Sequence, residues 1–309
     1  MNKLTKAGFA GLFLSLTAVL ASCGSSSETS SDTVAVTADV FPVTVGDLTL
    51  DAQPTRIISL SPTATEMLYA IGAGSQVVAV DEYSNYPAEA VALGTPLSGF
   101  EPNIEAISGY TPDLVIISYD PGSLVEQLST LDIPVFVAGA AMSIENVYEQ
   151  IEQLGVLTGN SQKAVEVSKS LQTGIEDAVA SVQFSEPPLS YYYELDNTYY
   201  SVTSNTFIGQ IFNLFGMRNI ADNVESGNDY PQLSAEVIVS ADPDFIFLAD
   251  TKCCAQDATT VAARDGWGGL KAVTANQVVE LDDDVASRWG PRVLELITAI
   301  RDAVVAANS

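Results

Sequence analysis

The sequence predicts an α/β chain: two α/β lobes joined by one long helix. Three observations carry this. Short apolar runs of strand type alternate with segments of helical period. The stretch Asn160–Val182 (NSQKAVEVSKSLQTGIEDAVASV) places Ala164, Val167, Leu171, Ile175, Ala178 and Val182 three or four residues apart, the spacing of one helix face. Finally, Asn103–Ser118 (NIEAISGYTPDLVIIS) is echoed by Ser234–Ala249 (SAEVIVSADPDFIFLA). In each, a glutamate in the first turn of a short helix is followed eight positions later by the aspartate of a Pro-Asp pair, and then by a buried strand: Glu105 to Asp113, and Glu236 to Asp244. The echo falls on opposite sides of the long helix, so the two lobes read as copies of one design.

The elements follow in order. Phe41–Pro54 reads as a short β-hairpin. Arg56–Leu60 (RIISL) is a strand, and Ser61-Pro62 opens a helix through Ile71, with proline in the first turn. Thr63 and Glu66 have capping-box spacing. Val77–Val80 is a strand. Leu114–Ser118 is a continuous apolar strand, as in parallel sheets covered on both faces. Pro121–Leu131 is a helix, Pro134–Val137 a strand and Ser143–Leu157 a helix, ended by Gly159. The long helix starts with Asn160 or Ser161 as cap and stops before Pro187-Pro188; at 1.5 Å per residue it is about 34 Å long. Gly174 is its one weak interior position. Beyond it come strand Leu189–Leu195, helix Asn205–Phe215, short helix Ser234–Ser240, strands Phe245–Ala249 and Val278–Leu281, and a closing helix Pro291–Ala307. In Tyr191-Tyr192-Tyr193, alternation puts the outer two rings on one face and the middle one on the other.

Composition narrows the chemistry. The 309 residues carry 39 Asp+Glu against 12 Lys+Arg, a net charge of −27. This argues against nucleic acid and against electrostatic attachment to an anionic membrane. The chain has no histidine, which removes Ser-His-Asp and Cys-His nucleophile systems, His-ligated zinc and proximal-His haem. Lys3 and Lys6, the apolar run Ala7–Leu20 and the small residues before Cys23 make a signal peptide of residues 1–22. The Ser/Thr-rich segment up to residue 40 has the composition of a flexible tether. The organisation predicted is then 23–40 tether, 41–158 first lobe, 159–184 connecting helix and 185–309 second lobe.

Candidate binding residues are aromatic. Tyr83 and Tyr86 follow a strand, Phe100 precedes the helix carrying Glu105, Tyr119 follows Leu114–Ser118, and Tyr230 precedes the helix carrying Glu236. Loops at the C-terminal ends of strands are where open α/β sheets bind ligands. Rings with few charges suit a large, flat ligand. Arg288 is the arginine expected in the cleft, with Arg218, Arg264 and Arg292 as other possible sources of positive charge. Cys253-Cys254 is expected as a vicinal disulfide or as two buried thiols. A hydrolase using paired carboxylates is the competing reading, with Asp282, Asp283, Asp284 and Glu66 as its acids.

The motifs IISLSPTATEMLYAIGAGSQVVAV, VDEYSNYP, the two Glu…Pro-Asp units, YPQLSAE and RDGWGGLKAVTANQVVELDDDVASRWGPR resemble, over about Pro54–Ala307, the helical-backbone class of bacterial solute-binding proteins. That class serves ABC importers of cobalamin, ferric siderophores and haem. The resemblance implies two Rossmann-like lobes on a single backbone helix, with a ligand cleft between them and no catalysis. It further implies that Glu105 and Glu236 dock on arginines of the permease, which works with an ATPase. The tetrad LASC resembles the bacterial lipobox, with Cys23 lipidated and the protein held outside the cell membrane. Tyr83, Tyr119 and Tyr230 match positions that frame the corrin in the cobalamin binders, and Asp284 and Arg288 match a polar pair near its edge. The ligand implied is a cobalt corrinoid or a ferric chelate, bound as cargo, with no resident cofactor or metal, by a monomer.

Overall fold

The structure is a computed structural model that describes residues 39–308. The signal peptide, Cys23 and nearly all of the tether lie outside the described residues.

Strands β1 (Val43–Val45) and β2 (Leu48–Leu50) form the antiparallel lead-in hairpin. The first half continues with β3 (Ile57–Leu60), α1 (Pro62–Ala70), β4 (Val77–Val80), the single turn α2 (Ala88–Val91), α3 (Ile104–Gly109), β5 (Leu114–Ile117), α4 (Leu124–Ser129), β6 (Val135–Val137) and α5 (Ile144–Thr158). Helix α6 (Ser161–Ala180) follows. The second half holds β7 (Ser190–Glu194), α7 (Phe207–Asn213), β8 (Arg218–Asn219), α8 (Ala235–Ala241), β9 (Phe245–Leu248), α9 (Ala258–Ala262), α10 (Lys271–Thr274), β10 (Val278–Glu280), α11 (Asp283–Ser287) and α12 (Val293–Ala307).

Each half has a four-stranded, all-parallel sheet, ordered β4-β3-β5-β6 in the first and β8-β7-β9-β10 in the second. In both, the first strand lies between the second and third, and the fourth lies outside the third. The repeat expected from the Glu…Pro-Asp echo is therefore present in the topology. The central strands β3, β5, β7 and β9 are buried at every residue, as helices on both faces require.

The echoed aspartates each fasten strands within their own half. Asp113 accepts from Thr55 N–H, Thr55 Oγ1 and Arg56 N–H at 2.8–2.9 Å. Asp244 accepts from Ser190 N–H at 2.8 Å and Ser190 Oγ at 2.7 Å. Each Pro-Asp, at the foot of its half's third strand, thus ties down the start of the first.

Helix α6 carries the chain from one half to the other, and Asn160 does not cap it by its side chain. The Asn160 amide instead bonds Thr158 and Gln76, and the Ser161 N–H is taken by Asp39. Gly174 is a close-approach site: a Cβ there would lie 2.7 Å from Leu294 Cδ2 of α12. The largest apolar cluster runs through both halves, joining Met67, Leu68 and Leu154 to Leu171, Tyr191, Phe212 and Leu296. Tyr191 and Tyr193 point into it, whereas Tyr192 packs with Trp267 in a second cluster, so the alternation holds with all three rings buried. Among the described residues no helix is long and apolar enough to cross a membrane.

Candidate functional site

A cleft of about 430 Å3 lies at the C-terminal ends of the first sheet's strands. Its walls are Leu60–Thr63 after β3, Asp81 and Tyr83 after β4, Gly99-Phe100, Ser118-Tyr119 after β5, and Asp284 with Ser287–Trp289 from α11 and beyond. Five of the six expected ligand residues come together here.

Three rings form one wall. Tyr83 meets Phe100 edge to face at 5.5 Å, and Phe100 lies 6.2 Å from Tyr119. They remain 52%, 63% and 44% exposed, an unusual cluster of uncovered rings for a protein with this much core. Gly99 lets the loop reach this position, since a Cβ there would stand 2.7 Å from the Leu60 carbonyl oxygen and 2.9 Å from Asp81 Oδ2. Beneath the loop runs a buried hydroxyl chain. Thr65 Oγ1 donates to Ser59 Oγ and lies 2.8 Å from Ser84 Oγ, and the Ser84 hydroxyl donates to Asp81 at 2.6 Å. Burial pushes the Asp81 carboxyl above its ordinary range, against the Ser84 hydrogen bond. None of this network is legible from spacing alone.

The opposite wall is polar. Arg288 donates from Nη1 to Glu66 Oε1 (2.7 Å) and Asn85 Oδ1 (2.9 Å), and from Nη2 to Asp284 Oδ1 (2.8 Å) and the Tyr83 carbonyl (3.0 Å). Asp284 Oδ2 also accepts from Asn85 and from Lys252. Partial burial works against the charged form of Asp284, but Lys252, Arg288 and Asn85 together hold its carboxyl below the ordinary value. The pair expected to meet the ligand is therefore also bonded across the two halves.

Several expectations are corrected. Glu66 does not close a capping box: Ser61 caps α1 through the Ala64 N–H, and Glu66 is buried against Arg288 and Arg292. Arg264 is not in the cleft; half-buried itself, it forks onto the buried Glu194. Tyr86 lines a different concavity, a groove of about 1,360 Å3 between α1, α2 and α12, where Arg292 sits 4.4 Å over its ring. That groove reaches the N-terminal end of β4 at Val77, not the strand ends where such sheets bind ligands. Tyr230 is exposed on the second half and does not line the cleft. Cys253 and Cys254 are free thiols, the first exposed and the second half-buried, in a 251–254 turn where Asp283 accepts from the Lys252 and Cys253 N–H groups. Glu105 and Glu236 are the exposed second residues of α3 and α8, capped by Asn103 and Ser234.

A model of periplasmic binding proteins matches residues 57–285. The chain belongs to the periplasmic binding protein family. The binding protein is 29% identical over 312 residues to a Bacillus subtilis protein named uncharacterized ABC transporter substrate-binding lipoprotein YvrC, covering 97% of each. It is 32% identical over 277 residues to a cobalamin-binding protein of Halobacterium salinarum, covering 85% of this chain and 74% of that one. The crystal structure of the periplasmic vitamin B12 binding protein BtuF of Vibrio cholerae superposes with a TM-score of 0.67 at 28% identity, covering 83% of this chain and 98% of that one. The binding protein is not an enzyme. The acids of the hydrolase reading are tied up: Asp282 caps α11, Asp283 holds the 251–254 turn, and Glu66 and Asp284 pair with Arg288.

Proposed function

We propose that the protein is the extracytoplasmic solute-binding component of an ABC importer and that it carries a corrinoid in this cleft. The observation that carries the reading is the wall of three uncovered rings at the strand ends, facing a polar wall. A flat macrocycle gains by stacking on such rings, and its amide edge finds donors and acceptors opposite. The cobalamin- and B12-binding names of the relatives support the same ligand. Arg288 is the only cation lining the cleft among the described residues, and Glu66 and Asp284 neutralise it. That balance favours a neutral ligand over an anionic ferric chelate. Cys23 supplies the lipid anchor, and the protein acts as a monomer, passing its cargo to the permease and its ATPase.

Titration with cyanocobalamin is the test. Trp289 lines the cleft, so tryptophan emission should fall on binding, with no turnover. Phe100→Ala is expected to weaken binding by roughly 1–3 kcal/mol. No response to any corrinoid, together with a tight response to a ferric chelate, would reassign the ligand.

Glu105 and Glu236 are the proposed permease contacts, each at the same position of the repeated unit. Glu236 is held below its ordinary pKa by the helix-start N–H and the Ser234 hydroxyl, so it stays ionised. Replacing both by alanine should leave cyanocobalamin affinity unchanged and impair uptake by cells. A large loss of affinity would place these acids at the ligand instead.

A further inference from the structure

The Arg288 network joins residues that no single element supplies. Glu66 lies on α1, Tyr83 and Asn85 on the loop after β4, and Asp284 and Arg288 on and just after α11 in the second half. Arg288 is only 9% exposed and Glu66 3%. The guanidinium therefore has little water to fall back on, and its direction is set by the protein acceptors around it. Arg292 adds a second, longer contact to the same Glu66 oxygen at 3.4 Å. Asn85 closes a ring by accepting from Arg288 and donating to Asp284.

We propose that Glu66, which does not line the cleft, is a positioning residue for ligand binding. It fixes Arg288, and Arg288 clamps the loop carrying Tyr83 to the helix carrying Asp284. The ring wall and the polar wall then keep one spacing before any ligand arrives. A preset cleft binds more tightly because ordering its walls is already done. Helix α6 alone does not do this. It sets how the halves are joined, whereas the clamp acts where the walls face each other. The inference rests on the reading of this cleft as the ligand site.

The test compares Glu66→Gln, Asn85→Ala, Phe100→Ala and the double variant Glu66→Gln/Asn85→Ala. Hydrogen exchange in the ligand-free protein is the first readout. Glu66→Gln should speed exchange at residues 82–86 and 284–288 and leave β5 and α6 as protected as before. A purely structural role of Glu66 would instead loosen α1 and the core. Unchanged exchange at 82–86 and 284–288 overturns the clamp, whether or not any ligand binds.

Cyanocobalamin affinity is the second readout. Glu66→Gln and Asn85→Ala should each lose roughly tenfold, and the double variant should also lose about tenfold rather than a hundredfold, because both act through Arg288. Additive losses would overturn positioning through Arg288. So would unchanged affinity in Glu66→Gln when Phe100→Ala binds weakly. If Phe100→Ala also binds normally, it is the placement of the ligand in this cleft that fails. Should Glu66→Gln not fold, Asn85→Ala, an exposed side chain, carries both readouts by itself.

Discussion

Arg264→Met should destabilise the protein by about 3–5 kcal/mol, the usual penalty for stranding a buried charge. Glu194 ends β7 with no exposure, and both its oxygens rest on the Arg264 fork, at 2.6 Å to Nη1 and 2.5 Å to Nη2. The guanidinium also lies 4.6 Å over the Trp267 ring, so methionine replaces some of the packing but none of the charge. Equilibrium urea unfolding measures the loss. The double variant Arg264→Met/Glu194→Leu should recover most of it, since a buried pair exchanged for apolar side chains is often neutral. A loss below about 1 kcal/mol in the single variant would mean that Glu194 finds water or another donor.

Asp250 should make stability depend on pH near neutrality. Its side chain is fully buried, neither oxygen has a hydrogen-bond partner, and Glu194 and Asp283 stand close by. Burial first, then those two carboxylates, push it up to about 7 despite Arg264. The native state therefore keeps a proton on Asp250 that the unfolded chain has released above its ordinary value of 3.8. Since the native state binds more protons in that window, stability falls as pH rises from about 4 to about 7, and the full penalty applies above. At about 1.4 kcal/mol per pH unit this is on the order of 4 kcal/mol. Other acids shift in both directions, so the decisive quantity is the difference from Asp250→Asn, which cannot ionise. Relative to the parent, that variant should gain stability between pH 5 and about pH 7 and level off above it in urea titrations. A constant difference would show that Asp250 is already ionised at pH 5.

Local pattern made the scaffold legible. The runs IISL, LVII and FIFL are apolar throughout because helices cover both faces, and helix periods lie in their own residues. Where the signal was short or distant, the sequence did not show it. β8 is the pair Arg218-Asn219, joined to β7 by Arg218 N–H on the Leu189 carbonyl and Ile220 N–H on the Tyr191 carbonyl, with the buried Asn219 amide also bonding Tyr191 Oη and the Val202 carbonyl. The Pro-Asp echo was visible, but its partners lie 58 and 54 residues away. Glu66 fitted a local cap until Arg288, 222 residues on, claimed it. At the site, the rings after strands were found by topology. Tyr86 follows the same strand as Tyr83 and lines another surface, a difference that only side-chain direction decides.

The repeated strand order has one more consequence. α3 and α8 occupy the same place in two copies of one unit, so their glutamates offer a partner the same local shape twice. In the docking proposed for Glu105 and Glu236, each contact alone is a weak, exposed charge pair. Held on a single body, the second forms at high effective concentration once the first is made. Grip then comes from avidity, and release begins when either acid lets go. A carrier that must dock firmly and leave after each delivery is well served by two weak handles.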